Sequence, residues 1–252
     1  MGVHVSRIGL TPLKGTRHVE QPYVDLAQTG PVGDRVFCLV DRSRDRVLRT
    51  VENPVLMQTA VRWSAGVLTA TLPSGTATDV PVPTGEILEP DYWGRTAALE
   101  VVAGPWAAVY SKLLGYDVEL ARSAQPGEIV YGGSVSLVTS SSLDRLAGEL
   151  GRPVDSTRFR ATFTVDTAGQ PAHVEDSWVG RMLRIGEAEV EVRSRLPRCA
   201  VVDLDPATGR RRAHVLRALG RYRRALAEIV FGVDAAVRTP GRVAVDAVVE
   251  RG

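Results

Sequence analysis

Short apolar runs separated by glycine and proline recur along the first hundred positions of this 252-residue chain. Apolar runs of about four to eight residues, bounded by turn-forming residues, are typical of β-strands. The pattern predicts strands over residues 3–10, 35–41 and 66–72. We therefore expect the N-terminal part of the chain to be almost entirely β-structure.

Three later segments have the apolar spacing of amphipathic helices. The first covers residues 105–114, with Pro105 suited to the first helical position and Gly115 as a stop signal. The second covers residues 143–150 and the third residues 213–229. The apolar stripe of the third helix consists of Val215, Leu216, Leu219, Tyr222, Leu226 and Ile229.

Strands are again predicted after the second helix, over residues 160–165, 182–185 and 189–193. Glutamate and valine alternate at residues 189–192, which marks that strand as half-exposed. Alternating apolar residues within 233–249 predict closing strands. The sequence therefore indicates a mainly β fold of the α+β class with a few helices. Its length allows one large domain or two interlocked smaller ones.

Composition limits the partners that this chain is expected to have. Its formal net charge is +2 and 44% of its residues are hydrophobic, as in an ordinary globular protein. Basic residues are not interleaved with aromatic ones, so we expect no nucleic-acid partner. No apolar run is long enough to span a bilayer, and residues 1–10 lack a secretory pattern. We therefore expect no membrane association and a cytoplasmic location.

Cys199 lies in the most basic part of the chain. Residues 195–224 contain nine arginines and only two acidic residues, Asp203 and Asp205. A positive environment favours the thiolate, so Cys199 is a candidate nucleophile, sulfur carrier or soft metal ligand. The alternative is that it is a small buried side chain. The other cysteine, Cys38, lies in a continuous apolar strand and is expected in the core.

A strand that leads directly into a helix forms a second candidate site. The apolar residues 135–139 are followed by Ser140, Ser141 and Ser142 at the predicted helix start. Such a corner presents several backbone N–H groups and favours an anion. The alternative is that the serines do no more than cap the helix. The four histidines are dispersed and show no metal-ligand spacing.

Several short motifs gain meaning from their order along the chain. They are Pro12-Leu13-Lys14-Gly15, Gly33-Asp34-Arg35, Thr139-Ser140-Ser141-Ser142, Arg158-Phe159-Arg160, Glu175-Asp176-Ser177-Trp178-Val179-Gly180-Arg181, and Arg198-Cys199 followed by Asp205-Pro206-Ala207-Thr208-Gly209. In this order the chain resembles the MOSC superfamily, named after the C-terminal domain of molybdenum cofactor sulfurase. Members similar to this chain include the amidoxime-reducing component of mitochondria and its bacterial relatives.

The resemblance implies a fold, a cofactor and a set of site residues. It implies a MOSC-type β-barrel over residues 116–252, preceded by an N-terminal β-barrel-like domain over residues 1–115. It also implies the molybdenum cofactor, molybdopterin, with Cys199 as the sulfur ligand to the metal. The residues that would contact the anionic cofactor are Lys14, Arg35, Thr139, Ser140, Ser142, Arg160, Thr162 and Arg198.

This chain departs from the family pattern at several of these positions. Gly15 follows Lys14 where relatives have serine, and Thr162 stands where they have asparagine. Asp203 replaces a threonine, and a carboxylate there repels an anionic cofactor unless it points away or accepts a proton from substrate. The alternative for Asp203 is a solvent-facing strand residue that pairs with a nearby arginine.

The leading hypothesis is therefore a molybdenum-cofactor oxidoreductase that removes oxygen from N-hydroxylated small molecules, with Cys199 and Asp203 as candidate catalytic residues. The alternative is a sulfur-transfer enzyme that carries a persulfide on Cys199, with pyridoxal phosphate only on a separate desulfurase that donates the sulfur. A third possibility is a non-catalytic anion-binding module. Since the chain lacks the iron–sulfur cysteines of some relatives, a redox role requires a separate electron-transfer protein.

Overall fold

The computed structural model describes residues 2–123, 128–130, 133–225 and 227–252. Strands form most of its regular structure, and the expected mainly β architecture with a few helices is confirmed. In the first half of the chain the strands are β1 (His4–Leu10), β2 (Val19–Gln21), β3 (Tyr23–Ala27), β4 (Gly30–Pro31), β5 (Phe37–Asp41), β6 (Arg46–Val47), β7 (Ala60–Ser64), β8 (Val67–Leu72), β9 (Gly75–Asp79), β10 (Val82–Leu88), β11 (Asp91–Tyr92), β12 (Arg95–Thr96), β13 (Leu99–Ala103) and β14 (Glu119–Ser123).

The second half adds further strands and most of the helices. The strands are β15 (Val135–Thr139), β16 (Phe163–Asp166), β17 (Met182–Ile185), β18 (Ala188–Pro197), β19 (Arg224–Ala225), β20 (Glu228–Thr239), β21 (Gly241–Ala244) and β22 (Val249–Arg251). The helices are α1 (Trp106–Leu114), α2 (Ser140–Leu150) and α3 (Val215–Tyr222). No helix within the described residues is long and apolar enough to cross a membrane.

One curled sheet has the order β2-β1-β16-β15-β20-β18-β17-β22, with β19 paired to β20. Strands β15 and β16 are parallel, and α2 is part of the connection between them. The inner face of the sheet is apolar because valine, isoleucine and leucine alternate along its strands. Phe163 and Trp178 are the largest side chains in this core.

A second sheet has the order β10-β13-β14-β5-β6-β11-β12, and β7, β8 and β9 form a separate three-stranded sheet. Helix α1 contributes Trp106 and Tyr110 to the core beside these sheets. The helix ends at Leu114 as the sequence predicts, since Gly115 takes the left-handed conformation that closes it, but it begins at Trp106, with the predicted first residue Pro105 at the N-cap position. Cys38 is fully buried in β5, as expected. Burial raises the pKa of its thiol to about 12.

The N-terminal strands pair with the C-terminal part of the chain. In the β1–β16 pair Ile8 lies opposite Phe163, and in the β3–β21 pair Val24 lies opposite Val243. The proposed division into residues 1–115 and 116–252 stays a prediction. The pairing nevertheless ties residues 4–27 to strands on the far side of that boundary.

The structure corrects the predicted limits of three elements. Helix α3 ends at Tyr222 rather than at residue 229, because Ile229 lies in β20, whose backbone groups pair with β18. Leu226, a predicted member of the apolar stripe of the third helix, lies outside the described residues. Helix α2 begins at Ser140, three residues early. The strand predicted from residue 160 begins at Phe163, because a 3-10 helix and a left-handed Arg160 precede it.

Candidate functional site

A cleft with a volume of about 380 Å³ lies between loops of the two halves of the chain. The residues that line it in the N-terminal half include Lys14, Arg35, Arg49, Thr50, Val51, Tyr92 and Trp93. Those in the C-terminal half include Ser134, Ser136, Arg158, Phe159, Arg160, Leu196, Pro197, Arg198, Cys199, Val201 and Val202. Five residues predicted from the sequence therefore meet here, namely Lys14, Arg35, Arg160, Arg198 and Cys199.

Two arginines of the cleft have backbone conformations that side-chain-bearing residues rarely adopt. The φ angles of Arg35 and Arg160 are +47° and +52°. Each such residue costs on the order of 1–2 kcal/mol, so surrounding contacts must hold it in place. The Arg35 guanidinium pairs with Asp34 and donates to the Arg160 carbonyl at 3.5 Å. The backbone N–H of Arg35 donates to the carbonyl of Thr11 at 2.9 Å. These contacts join the two turns that carry the arginines.

Two guanidinium groups of the cleft each have a donor nitrogen without a partner among the described residues. Arg160 donates through Nη2 to the Thr11 hydroxyl at 3.1 Å, and Arg198 donates to the carbonyls of Phe231 and Phe159, each at 2.8 Å. Within the described residues, Arg160 Nη1 and Arg198 Nη2 are buried and find no hydrogen-bond partner. Buried charged donors are costly when unpaired. Both nitrogens are therefore suited to an anion in the cleft.

A glycine makes room for the second of these groups. A Cβ atom on Gly232 would lie 3.3 Å from Arg198 Nη2 and 2.4 Å from the Leu137 carbonyl oxygen. Gly232 also has a φ angle of +73°, which glycine adopts without strain. The close approach of Arg198 to β20 thus depends on the absence of a side chain at this position.

Positive charge is concentrated at the floor of the cleft. Lys14 Nζ donates to Tyr92 Oη at 3.0 Å and to the Ile129 carbonyl at 3.3 Å. Burial and the neighbouring Arg35 and Arg160 lower the pKa of Lys14 to about 7. Burial, together with Arg35, also lowers the pKa of Arg160 to about 10. A bound anion would relieve this repulsion.

Cys199 lies at the edge of this positive region with its thiol free. It follows the end of β18 and is exposed to solvent. Its backbone is held on both sides, since the N–H of Arg198 donates to Ile229 and the N–H of Val202 donates to the carbonyl of Cys199. The alternative of a small core side chain is therefore wrong for Cys199. An exposed sulfur beside a cationic cleft is accessible to a metal or to another sulfur.

The serine corner is not part of the cleft, and the anionic groups bound there are carboxylates of the protein itself. Thr139 and Ser142 donate to the carboxylate of Glu175 at 2.7 Å each, while Ser140 donates to Asp166 at 3.0 Å. Glu175 is fully buried. These three hydroxyls are not among the residues that line the cleft. The sequence predicted an anion at the backbone N–H groups of this corner, whereas in the structure the hydroxyls of Thr139 and Ser142 bind the carboxylate of Glu175. The capping alternative is also wrong, since Ser140, Ser141 and Ser142 are the first three residues of α2 itself and none of them stands at the N-cap position.

Glu175 remains ionised despite its burial. Burial alone raises the pKa of a carboxyl group, but the nearby His173 ring and the hydroxyls of Thr139 and Ser142 hold the pKa of Glu175 below its usual range. The sequence does mark this position, because Glu175 is the first residue of the motif that runs to Arg181 and contains the buried Trp178. That string carried the family resemblance without suggesting a role for its first residue.

Glutamine at position 175 is expected to lower the free energy of unfolding by about 1–2 kcal/mol at pH 7, because two charge-assisted hydrogen bonds become neutral ones. A group whose pKa is depressed by folding stabilises the protein above its unfolded pKa, so this difference should narrow below about pH 4. Urea unfolding at several pH values measures both effects. Glu89→Gln, at an exposed position, should change stability by less than about 0.5 kcal/mol. An equal loss in both variants would contradict the assignment.

Asp203 and Thr162 are placed behind the cleft. Asp203 is buried in a 3-10 helix, accepts from the Leu216 N–H at 2.9 Å and lies 3.9 Å from Arg211. It is thus neither a strand residue nor solvent-facing, and its carboxylate caps the first turn of α3. Thr162 exchanges two hydrogen bonds of 3.2 Å with Ser136, which does line the cleft.

Sequence reasoning missed several lining residues. Arg158 is buried and donates to the Leu204 carbonyl, and also to Val202 at 3.5 Å, so it supports the loop that follows Cys199. It belongs to the string Arg158-Phe159-Arg160, in which only the second arginine stands out as a site residue. Arg49 lies in the irregular segment after β6 and Trp93 in the turn between β11 and β12, where no motif indicates them.

The fold and this cleft define a mainly β protein with a cationic pocket and an exposed cysteine at its edge. A family model, the MOSC domain, matches residues 127–250, which include Arg158, Arg160, Arg198 and Cys199. Residues 127–250 are therefore a MOSC domain, and the curled sheet agrees with a MOSC-type β-barrel. MOSC domains are associated with molybdenum cofactor binding and with enzymes related to that cofactor.

Other comparisons find only distant similarity. No curated protein matches the chain. The YuaD protein from Bacillus subtilis is 11% identical, with a TM-score of 0.48 over 100% of this chain and 96% of that one. YiiM from Geobacillus stearothermophilus is 17% identical, with a TM-score of 0.35 over 48% of this chain and 54% of that one. A Bordetella bronchiseptica protein with a solution structure is 13% identical, with a TM-score of 0.31 over 42% of this chain and 89% of that one.

Proposed function

We propose that this chain binds the molybdenum cofactor in the cleft and reduces N-hydroxylated small molecules there, with electrons from a separate electron-transfer protein. The observation that supports this most strongly is the pair of buried, unpartnered nitrogens on Arg160 and Arg198 among the described residues. Both lie in a cleft with an exposed cysteine at its edge. The association of MOSC domains with this cofactor supports it as the anion that the cleft would accept.

The residues present fit the two ends of such a cofactor. Arginine offers a planar fork to phosphate oxygens, and Arg35, Arg160 and Arg198 together supply the charge for a phosphate group. Cys199 supplies one soft sulfur ligand to the metal. Within the described residues no cluster of histidine, cysteine and acidic side chains could hold a metal alone.

When bound, the cofactor supplies two-electron chemistry and an acceptor for the oxygen atom. The residues of this chain would bind the cofactor, orient it and supply protons. Arg160 and Arg198 would fix the phosphate end, while the backbone contacts on both sides of Cys199 fix the position of its sulfur. Lys14, with a pKa of about 7, can hold or release a proton at Nζ near physiological pH.

Molybdenum content tests this proposal directly. The full chain, produced with molybdate, is expected to contain molybdenum and pterin in nearly equal amounts, and Cys199→Ala should lose most of the metal because a ligand is removed. Elemental analysis and pterin fluorescence measure the two components. Cys38→Ala, at the buried cysteine, should retain both. Full reduction of benzamidoxime by protein without metal and pterin would contradict the proposal.

The solvent exposure of Cys199 also favours a second candidate function, persulfide transfer. The Cys199 thiolate would attack the outer sulfur of a persulfide on a cysteine desulfurase. The sulfur–sulfur bond of the donor breaks as a new one forms on Cys199, and the electron pair leaves on the donor cysteine. Pyridoxal phosphate is needed only on that donor. Mass spectrometry after incubation with the desulfurase should show one added sulfur at Cys199, and its absence would reject this candidate.

A further inference from the structure

The segment that contains helix α3 carries a surface rich in arginine. Residues 206–225 include seven arginines and no acidic residue. One of the seven, Arg223, binds both carboxylate oxygens of Asp176, at 2.8 and 2.9 Å. The other six are exposed, and together they are called the arginine surface below. They are Arg210, Arg211, Arg212, Arg217, Arg221 and Arg224.

The positive charge of the arginine surface is almost uncompensated. Among its six residues only Arg211 lies within ion-pair distance of a described carboxylate, because its guanidinium is 3.9 Å from the buried Asp203. Exposed arginines elsewhere on the molecule do pair, as Arg42 does with Glu86 at 2.7 Å. A cluster of like charges repels itself in the free protein and attracts a surface of opposite charge.

Helix α3 turns two of these arginines towards solvent. Val215, Ala218 and Leu219 are the buried residues of the helix, whereas Arg217 and Arg221 are exposed. Residues four positions apart lie on the same face of a helix, so the two guanidinium groups leave the helix on one side. Both groups are therefore available to a second molecule.

The arginine surface is joined to the segment that carries Cys199. Asp203, four residues after the cysteine, accepts a hydrogen bond of 2.9 Å from the Leu216 N–H of α3. The N–H of Ala213 donates to the Asp203 carbonyl at 3.3 Å. Val202, in the same 3-10 helix as Asp203, lines the cleft. A protein that binds the arginine surface therefore binds next to a segment that forms part of the cleft.

We propose that the arginine surface is the docking site for an acidic electron-transfer protein. The inference rests on the proposed function, which requires electrons from a separate protein. Charge complementarity between two proteins raises the rate at which they meet and fixes their relative orientation. A redox protein with a negatively charged face is thus guided to the side of the molecule that holds the Cys199 segment.

The probe for this inference is a plant-type iron–sulfur ferredoxin, a small acidic electron-transfer protein. Calorimetric titration of the full chain as purified should show binding at an ionic strength of about 20 mM, and about 150 mM should weaken it at least tenfold because salt screens exposed charges. Arg217→Glu combined with Arg221→Glu should weaken binding about tenfold at the lower ionic strength. Glutamine at both positions should weaken it about threefold.

Arg62→Glu combined with Arg122→Glu is the matched control, because both arginines are exposed but lie on β7 and β14. This pair should keep the affinity of the unaltered chain. Circular dichroism shows whether α3 persists, and glutamine, a good helix former, keeps the test valid if the two glutamates disturb the helix. No ferredoxin binding at low ionic strength or equal weakening by both glutamate pairs would overturn the inference. Tighter binding of duplex DNA than of ferredoxin at about 150 mM ionic strength would also do so.

The source of electrons separates this inference from the proposed function. With a reduced viologen as a small electron donor, reduction of benzamidoxime should be equal in the unaltered chain and in the variant with glutamate at positions 217 and 221. With reduced ferredoxin it should fall about tenfold in that variant. Salt-sensitive ferredoxin binding without molybdenum and without turnover would support the docking site and reject the proposed function. Equal turnover of both proteins with ferredoxin would support the proposed function and reject the docking site.

Discussion

Methionine in place of Arg160 should weaken sulfate binding in the cleft about 10- to 100-fold. A hydrogen bond from a charged donor contributes about 1.5–3 kcal/mol, and Arg160 has a buried nitrogen available to an anion. Unlike the sulfate affinity, the stability of the anion-free protein should not fall. The guanidinium of Arg160 is buried beside Arg35 and Lys14, so its removal relieves repulsion in the anion-free protein. We expect a melting temperature that is unchanged or higher without sulfate, and less stabilisation when sulfate is added.

Arg198 provides an informative comparison. Two of its nitrogens donate to the Phe231 and Phe159 carbonyls, so Arg198→Met removes structural hydrogen bonds as well as a binding group. It should therefore lower both sulfate affinity and stability, whereas Arg160→Met removes one hydrogen bond, to the Thr11 hydroxyl, and relieves repulsion, so that it lowers affinity without a net loss of stability. Calorimetric titration with sulfate at constant ionic strength, together with thermal unfolding, separates the two effects. Arg62→Met, at an exposed position on β7, is the control and should change neither. Undiminished sulfate affinity in Arg160→Met would contradict the assignment of the cleft.

Much of the fold can be predicted from local patterns in the sequence. Helix α1 follows from Pro105, its apolar face and Gly115, and β5 follows from its uninterrupted apolar run. The end of α3 could not be predicted. The spacing of apolar residues continues through Ile229, but pairing between β20 and β18 satisfies the backbone there and overrides helical propensity.

The candidate site, like the fold, could be predicted only in part. Cys199 could be selected from the charge around it, and Lys14, Arg35, Arg160 and Arg198 from the resemblance to the MOSC superfamily, and these five residues do line one cleft. The roles of Thr139 and Ser142 could not be predicted. Their partner Glu175 is more than thirty positions away in sequence, and nothing local shows that a carboxylate folds against that corner. Trp93 was missed because a single exposed aromatic residue in a turn has no pattern.

Sulfate affinity should fall about tenfold per pH unit between about pH 7 and 9 because of Lys14. In the anion-free cleft the pKa of this amine is lowered to about 7, first by burial and then by Arg35 and Arg160. Below pH 7 Lys14 is already charged and adds attraction without pH dependence. Above pH 7 it is neutral when the cleft is empty, and a bound anion raises its pKa again. Binding therefore takes up one proton in that range.

Sulfate is the suitable probe because it does not titrate between about pH 6 and 9, and Arg160 and Arg198, with pKa values near 10, remain charged there. Calorimetry in two buffers of different ionisation enthalpy should detect uptake of about one proton at pH 8. Lys14→Met should abolish most of the uptake, while Lys112→Met, at the exposed lysine of α1, should preserve it.

The unfolded chain binds more protons at Lys14 than the folded chain between about pH 7 and 10. The anion-free protein should therefore become more stable as the pH rises through that range, and saturating sulfate should reduce this gain. A bound anion thus offsets the free-energy cost of burying the charged Lys14 amine. If the unaltered chain took up no proton on binding sulfate, the Lys14 amine would not face the anion.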